Sequence, residues 1–263
     1  MIVIYPNGDS FLKDNLAYLE EEPDLNGFFE KDAGLIAQSD HHNYAAKAQN
    51  GDKRLLALLA EPFSMLIYGD GSLTEELFGF LIKNNYRLYS LLGSTPLCEE
   101  IAAVVKEKFG IEYYEALGMD FMECKEKTEP TDPDVETPTE ADLDEIYECF
   151  VNFIADCGLN DRADKENLKT GLPNFRIVRA DGKIVSMAKI SINQKIAAVY
   201  TRKEYRGKGY ARKTVNACKN ELLAEYGVAK LNVDRKNPIS NHLYRSLGFV
   251  PVFSQGEWRI KED

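Results

Sequence analysis

Six consecutive residues, Arg206-Gly207-Lys208-Gly209-Tyr210-Ala211, have the make-up of an anion-binding turn. Two glycines let main chain approach a ligand with no Cβ in the way. A helix starting there would present free N–H groups and the positive end of its dipole. Between Arg202 and Lys213 stand six basic residues against Glu204 alone, in a chain of formal charge −11, which points to a polyphosphate. Two familiar phosphate signatures are excluded by one residue. Arg212 occupies the place where both G-x-x-x-x-G-K-[ST] and G-x-G-x-x-G/A need a small residue. Downstream, Tyr244 offers a phenol near pKa ~10, able to serve as a general acid.

These residues need elements to hold them. The apolar run Lys195-Ile196-Ala197-Ala198-Val199-Tyr200-Thr201 predicts a buried strand leading into the turn. Ala211, Val215, Cys218 and Leu222 recur at helical spacing, with Arg212, Lys213, Asn216 and Lys219 on the other side, so a helix follows. Leu231-Asn232-Val233-Asp234 predicts a second strand. After it Asn237 is a suitable N-cap, Pro238 suits the first helical position, and Gly248 is a stop signal. Ile239, Leu243 and Leu247 form the expected buried stripe, leaving Asn237, Ser240 and Tyr244 on a stripe the core does not need.

The pattern [RQ]-x-x-G-x-[GA], met by Arg206, Gly209 and Ala211, resembles the acyl-CoA pyrophosphate loop of the GNAT N-acetyltransferase superfamily. Asn237 to Phe249 resembles that family's second motif, N-x-x-[SA]-x-x-x-Y-x-x-x-G-F, and the likeness covers roughly residues 135–263. It implies an α/β (α+β) fold with a mixed, mostly antiparallel sheet flanked by helices. It also implies transfer of an acetyl group from acetyl-CoA to an amine by direct attack. The implied coenzyme A contacts are Arg206, Gly207, Lys208, Gly209, Tyr210, Ala211 and Arg212 at the pyrophosphate, main chain of Val199 and Thr201 along the pantetheine, and Asn237, Ser240 and Tyr244 at the arm and thiol. Tyr244 is the implied general acid. Relatives often carry a glutamate base on the strand before the loop; Lys195 to Tyr200 contains no carboxylate, so no base is assigned. That gap keeps a second reading open, an acyl-CoA-binding regulator without catalysis.

Composition bounds the rest. With 263 residues, 44% hydrophobic and 29% charged, the chain has the make-up of a soluble globular protein of one or two domains. The N-terminus lacks a basic region and a long apolar run, and the five cysteines include no C-x-x-C pair, so reduced thiols in a cytoplasmic protein with no membrane span are expected. The acidic balance argues against nucleic-acid binding. No metal site is expected, since His41-His42 point apart and have no evident third ligand.

Three segments are expected. Residues 1–125 read as a smaller α/β domain whose element order resembles a degenerate GNAT half, with helices over Ser10–Glu22, Leu73–Lys83 and Pro96–Phe109, strands within Leu55–Tyr68 and over Tyr86–Leu92, and an extended Ile111–Cys124. Residues 126–138, polar and acidic with three prolines, read as a surface linker. Residues 139–263 read as the acyl-CoA domain. It opens on a Thr139/Asp142 capping box, with helices over Leu143–Ile154 and Asn160–Thr170, a hairpin at Asp181-Gly182, and a closing pair of strands at Phe249–Phe253 and Glu257–Ile260. Asp132, Asp134, Glu136, Glu140, Asp142, Asp144 and Glu145 crowd the linker and first helix, which predicts a cationic acceptor, a small-molecule or side-chain amine.

Overall fold

A computed structural model describes residues 1–159 and 162–261. The chain divides into two compact units, Met1–Met119 with Phe253–Asp263, and Asp120–Val252. The first runs β1 (Ile2–Tyr5), α1 (Gly8–Leu19), α2 (Pro23–Ala33), β2 (Tyr44–Asn50), β3 (Lys53–Leu59), β4 (Met65–Gly69), α3 (Thr74–Lys83), β5 (Leu91–Ser94), α4 (Thr95–Phe109) and the start of β6 (Tyr113–Cys124). The second runs β7 (Val135–Glu136), α5 (Leu143–Asp156), α6 (Lys165–Gly171), β8 (Phe175–Ala180), β9 (Lys183–Ile190), β10 (Lys195–Thr201), α7 (Tyr210–Tyr226), β11 (Ala229–Asp234), α8 (Pro238–Ser246) and the start of β12 (Val250–Ile260).

The two units repeat one order of elements and one order of pairing. Neighbouring strands from β1 to β4 and from β7 to β10 are antiparallel, whereas β4–β5 and β10–β11 are parallel. Each parallel ladder covers only two rungs, Met65↔Leu91 and Leu66↔Leu92 in one unit, Lys195↔Lys230 and Ile196↔Leu231 in the other.

Local chemistry explains the elements of the second unit. Thr139 and Asp142 form the expected capping box, the Asp142 carboxylate accepting from the Thr139 N–H at 2.8 Å, and a short 3-10 turn leads into α5. α6 begins at Lys165 on an Asp164 cap; the part of the expected helix at 160–161 lies outside the described residues. The sheet separates two buried clusters. One joins Ile146 and Cys149 of α5, Leu168 of α6 and Met187 of β9; the other joins Val215, Cys218 and Leu222 of α7 to Leu231, Tyr244 and Leu247.

Several expectations differ from the structure. Residues 126–138 lie inside the second unit, and the segment from Thr128 to Asp134 is clamped on α7. Asn216 Nδ2 donates to the Pro130 carbonyl at 2.8 Å, and Asn220 Nδ2 to the Glu129 carbonyl at 3.0 Å. The Lys219 ammonium donates to Thr128 Oγ1 at 2.6 Å and the Leu247 carbonyl at 3.1 Å. Lys219 and Asn216, on the side of the helix away from the expected apolar stripe, are 0% and 3% exposed. The expected closing strand pair is the single strand β12, whose last part pairs with β5 (Gln255↔Ser94 to Trp258↔Leu91) in the first unit. Ile239, expected in the core, is 82% exposed, and Tyr244 is buried in its place. β5 starts five residues later than the expected strand at Tyr86, and β1 was not anticipated. Four cysteines are buried and Cys157 is exposed, all as free thiols.

Candidate active site

β10 carries a bulge between Ala197 and Tyr200 in its pairing with β9, and Ala198 takes φ 49°. Beyond Ile196↔Leu231 the ladder to β11 ends, so main chain from Ala197 to Thr201 turns an unladdered edge toward that side. This is the geometry an extended ligand needs to add itself as a strand. Val199 packs on the same buried cluster as Tyr244. Thr201 Oγ1 is engaged with Ser186 Oγ at 2.9 Å.

The strand then passes through a short turn at Lys203–Tyr205 into α7, with Gly209 as N-cap. Gly207 and Gly209 have φ 76° and 83°, a region that disfavours side-chain-bearing residues, and nothing lies within 4 Å of where either Cβ would be. The glycines serve conformation and leave room, as the loop reading requires. The N–H groups of Tyr210, Ala211 and Arg212 open the helix and have no partner within it.

The basic excess around this loop is largely neutralised in the fold. Arg206 pairs with Asp156, and its Nε donates to the Thr201 carbonyl at 3.0 Å. Arg202 pairs with Glu148 at 2.7 Å and Lys203 with Asp156 at 3.3 Å. Arg212 reaches Glu129 at 3.0 Å and donates to Ser246 Oγ at 2.7 Å; Lys213 reaches Asp134 at 2.7 Å and Asp132 at 3.1 Å. Lys208 has no carboxylate partner among the described residues, and its ammonium lies 5.1 Å from the Tyr205 ring. An anion would therefore be held chiefly by main-chain N–H groups and Lys208. The acids that motivated a cationic acceptor are spent the same way. Glu136 and Asp142 pair with Arg179, Glu140 with Lys169 and Asp144 with Lys165, while Glu145 accepts the Ile184 N–H at 2.7 Å. These acids are therefore not free to draw in a cationic acceptor.

On α8, the Asn237 side chain accepts the Ser240 N–H at 3.0 Å, so its carbonyl oxygen is committed to capping. Tyr244 is 7% exposed and meets the Phe249 ring edge-on at 6.2 Å. Burial, reinforced by the Cys157 thiol and opposed by a hydrogen bond with Ser240, pushes its phenol up to about 12. It stays protonated at neutral pH. Hydrogen bonds from Arg202 and Arg206 hold Glu148 and Asp156 below the ordinary carboxylate range, making both poor bases, and Asp234 accepts the Lys236 N–H. His41 packs against Tyr86 and His42 pairs with Glu61; among the described residues no group of three or more His, Cys, Asp or Glu is placed to hold a metal.

The first unit shares the two-rung parallel ladder but has neither the bulge nor the glycine loop. Its β3–β4 register, Leu55↔Gly69 to Leu58↔Leu66, shows no bulge. At the turn equivalent to the glycine loop, the Asp70 carboxylate accepts the Ser72 N–H at 2.9 Å and pairs with Lys53. Hydrogen bonds from Ser72 lower its pKa, so a negative charge already sits where a phosphate would.

Glycine loop, opened parallel ladder and bulged strand lie together at the end of β10. Residues 138–249 match the model of the Acetyltransferase (GNAT) family. Whole-chain likeness in fold extends to a GNAT-family acetyltransferase from Colwellia psychrerythraea, with 13% identity, 98% of this chain and 100% of that one covered, and TM-score 0.59. It extends also to a GCN5-related N-acetyltransferase from Sphaerobacter thermophilus, with 12% identity, 98% and 95% covered, and TM-score 0.60. The sequence matches no functionally curated protein. No described helix is long and apolar enough to cross a membrane.

Proposed function

We propose that the second unit transfers an acetyl group from acetyl-CoA directly to an amine, and that the first unit is a GNAT relic with no coenzyme site. The carrying observation is the opened β10–β11 ladder, with the Ala198 bulge and the α7 N-terminus at its mouth. N–H groups of Tyr210, Ala211 and Arg212, with Lys208 beside them, take the pyrophosphate, each charge-assisted bond contributing about 1.5–3 kcal/mol. Main chain of Val199 and Thr201 pairs with the pantetheine, and an N–H at the bulge polarises the thioester carbonyl. Tyr244 protonates the departing thiolate. Ser240 tunes that phenol, and Asn237 fixes the start of its helix. Gly207 and Gly209 give the loop its left-handed turns.

Deprotonation of a primary amine near pKa ~10.4 costs roughly 4.6 kcal/mol at pH 7. Glu148 and Asp156 beside the loop are ion-paired, so the acceptor's own neutral fraction supplies the nucleophile. That same observation favours the second reading, a coenzyme-binding regulator. Thiol release from acetyl-CoA across a panel of amines separates them: product with any amine supports transfer, and tight coenzyme binding with no release across the panel leaves the regulator.

A further inference from the structure

Lys189 of β9 occupies the rung between Phe175 of β8 and Ala197 of β10, next to the bulge. Its ammonium lies 5.3 Å from the Phe175 ring centre and beside Gly171 at the end of α6, where a Cβ would come within 3.4 Å of it. It belongs to the α5/α6 side of the sheet, the side of Met187 and Phe175, whereas α7 and Tyr244 pack on the other. Other cations of this unit are matched: Lys165 by Asp144, Lys169 by Glu140, Arg179 by Asp142 and Arg202 by Glu148. Lys189 has no carboxylate within ion-pair distance among the described residues; its recorded partner is an aromatic face. Burial draws its pKa below the ordinary lysine value, the mark of an ammonium losing hydration without a counterion.

A half-buried cation without a counter-charge is unfavourable unless a ligand brings one. With the coenzyme held on the α7 side, an incoming amine has the α5/α6 side of the bulge to approach from. We propose that Lys189 selects acceptors that carry a carboxylate, binding that group while the amine addresses the bulge. This rests on the acetyltransferase reading for the direction of approach. It replaces the cationic acceptor suggested by the sequence, since the acids behind that idea are paired and this cation is not.

The test is calorimetric titration of the CoA-saturated full chain with N-acetylated amino acids, N-acetyl-β-alanine and N-acetyl-γ-aminobutyrate, each matched with its carboxamide. The expected result is at least one pair in which the carboxylate binds about ten- to a hundredfold tighter, the range of one charge-assisted hydrogen bond. Lys189→Met abolishes that preference and Lys189→Arg retains much of it. Equal binding throughout, or a preference surviving in Lys189→Met, overturns the proposal. Because products are bound rather than turned over, a carboxylate preference without thiol release in the amine panel would sink the catalytic reading and leave the Lys189 site standing.

Discussion

Replacing Gly209 separates its two roles, conformation and access. Its φ of 83° makes any L side chain strained, while the space around its Cβ position is open to 4 Å. Gly209→Ala and Gly209→Glu should therefore destabilise alike, by about 1–2 kcal/mol of left-handed backbone strain with no clash. For a unit of this size that is a Tm loss of roughly 2–8 °C. Only the glutamate places a negative charge at the α7 N-terminus. One unit charge about 4 Å from a phosphate at an effective dielectric of 20 is opposed by about 4 kcal/mol, or roughly a thousandfold in Kd. A side chain that swings away relieves part of this, so tenfold over Gly209→Ala is the floor. Calorimetric titration with CoA, beside thermal unfolding of both variants, reads the two effects separately. If both variants bind CoA within threefold of one another at equal Tm, the loop does not hold the pyrophosphate.

The remaining predictions concern the clamp, the unit boundary and the acceptor's proton. Thr128→Val leaves the buried Lys219 ammonium with one hydrogen bond, costing about 1–3 kcal/mol at pH 7. Burial puts the folded pKa of Lys219 below its unfolded value. The penalty on its charged form is thus complete below the folded pKa and gone above the unfolded one, and the loss in denaturant midpoint should shrink as pH approaches 10. A fragment starting at Val135 omits Met122, Cys124 and the Thr128–Asp134 clamp, so it should lack a cooperative thermal transition that 120–252 retains; Met122 and Cys124 are 1% and 2% exposed. With Glu148 and Asp156 held as weak bases, kcat/KM should climb about tenfold per pH unit from 6 to 9 and flatten only near the acceptor's own pKa. A plateau near pH 7 in the pH–rate profile would reveal a base on the enzyme.

The elements that carry the candidate site were legible where short-range signals coincide. Arg206 to Ala211 and Asn237 to Phe249 each combine cap, glycine and periodicity within a short stretch, and the capping box at Thr139 is likewise local. What sequence could not show were partners distant along the chain. Asn216, Lys219 and Asn220 look like a solvated helix face because amide and ammonium groups usually are; only the fold lays the carbonyls of Glu129 and Pro130 on the two amides and the Thr128 hydroxyl on the ammonium. Basic residues at the loop and acids of the clamp and α5 suggested opposing fields until Asp132, Asp134 and Asp156 proved to be their counterions. β12 reads as two strands because Ser254 to Gly256 resembles a turn, yet Gln255 and Gly256 continue the ladder with Ser94 and Gly93. Lys189 carried no motif; its lack of a counter-charge is visible only once its neighbours are placed.

The account depends most on Tyr244 acting as the proton donor of an acyl transfer at the opened β10–β11 ladder. Its most direct test is the turnover number of Tyr244→Phe measured beside its acetyl-CoA affinity. The account predicts affinity within a few-fold of the parent and kcat lowered by about 10²–10⁴, the range for a lost general acid. Parent-like turnover in a folded variant would contradict it.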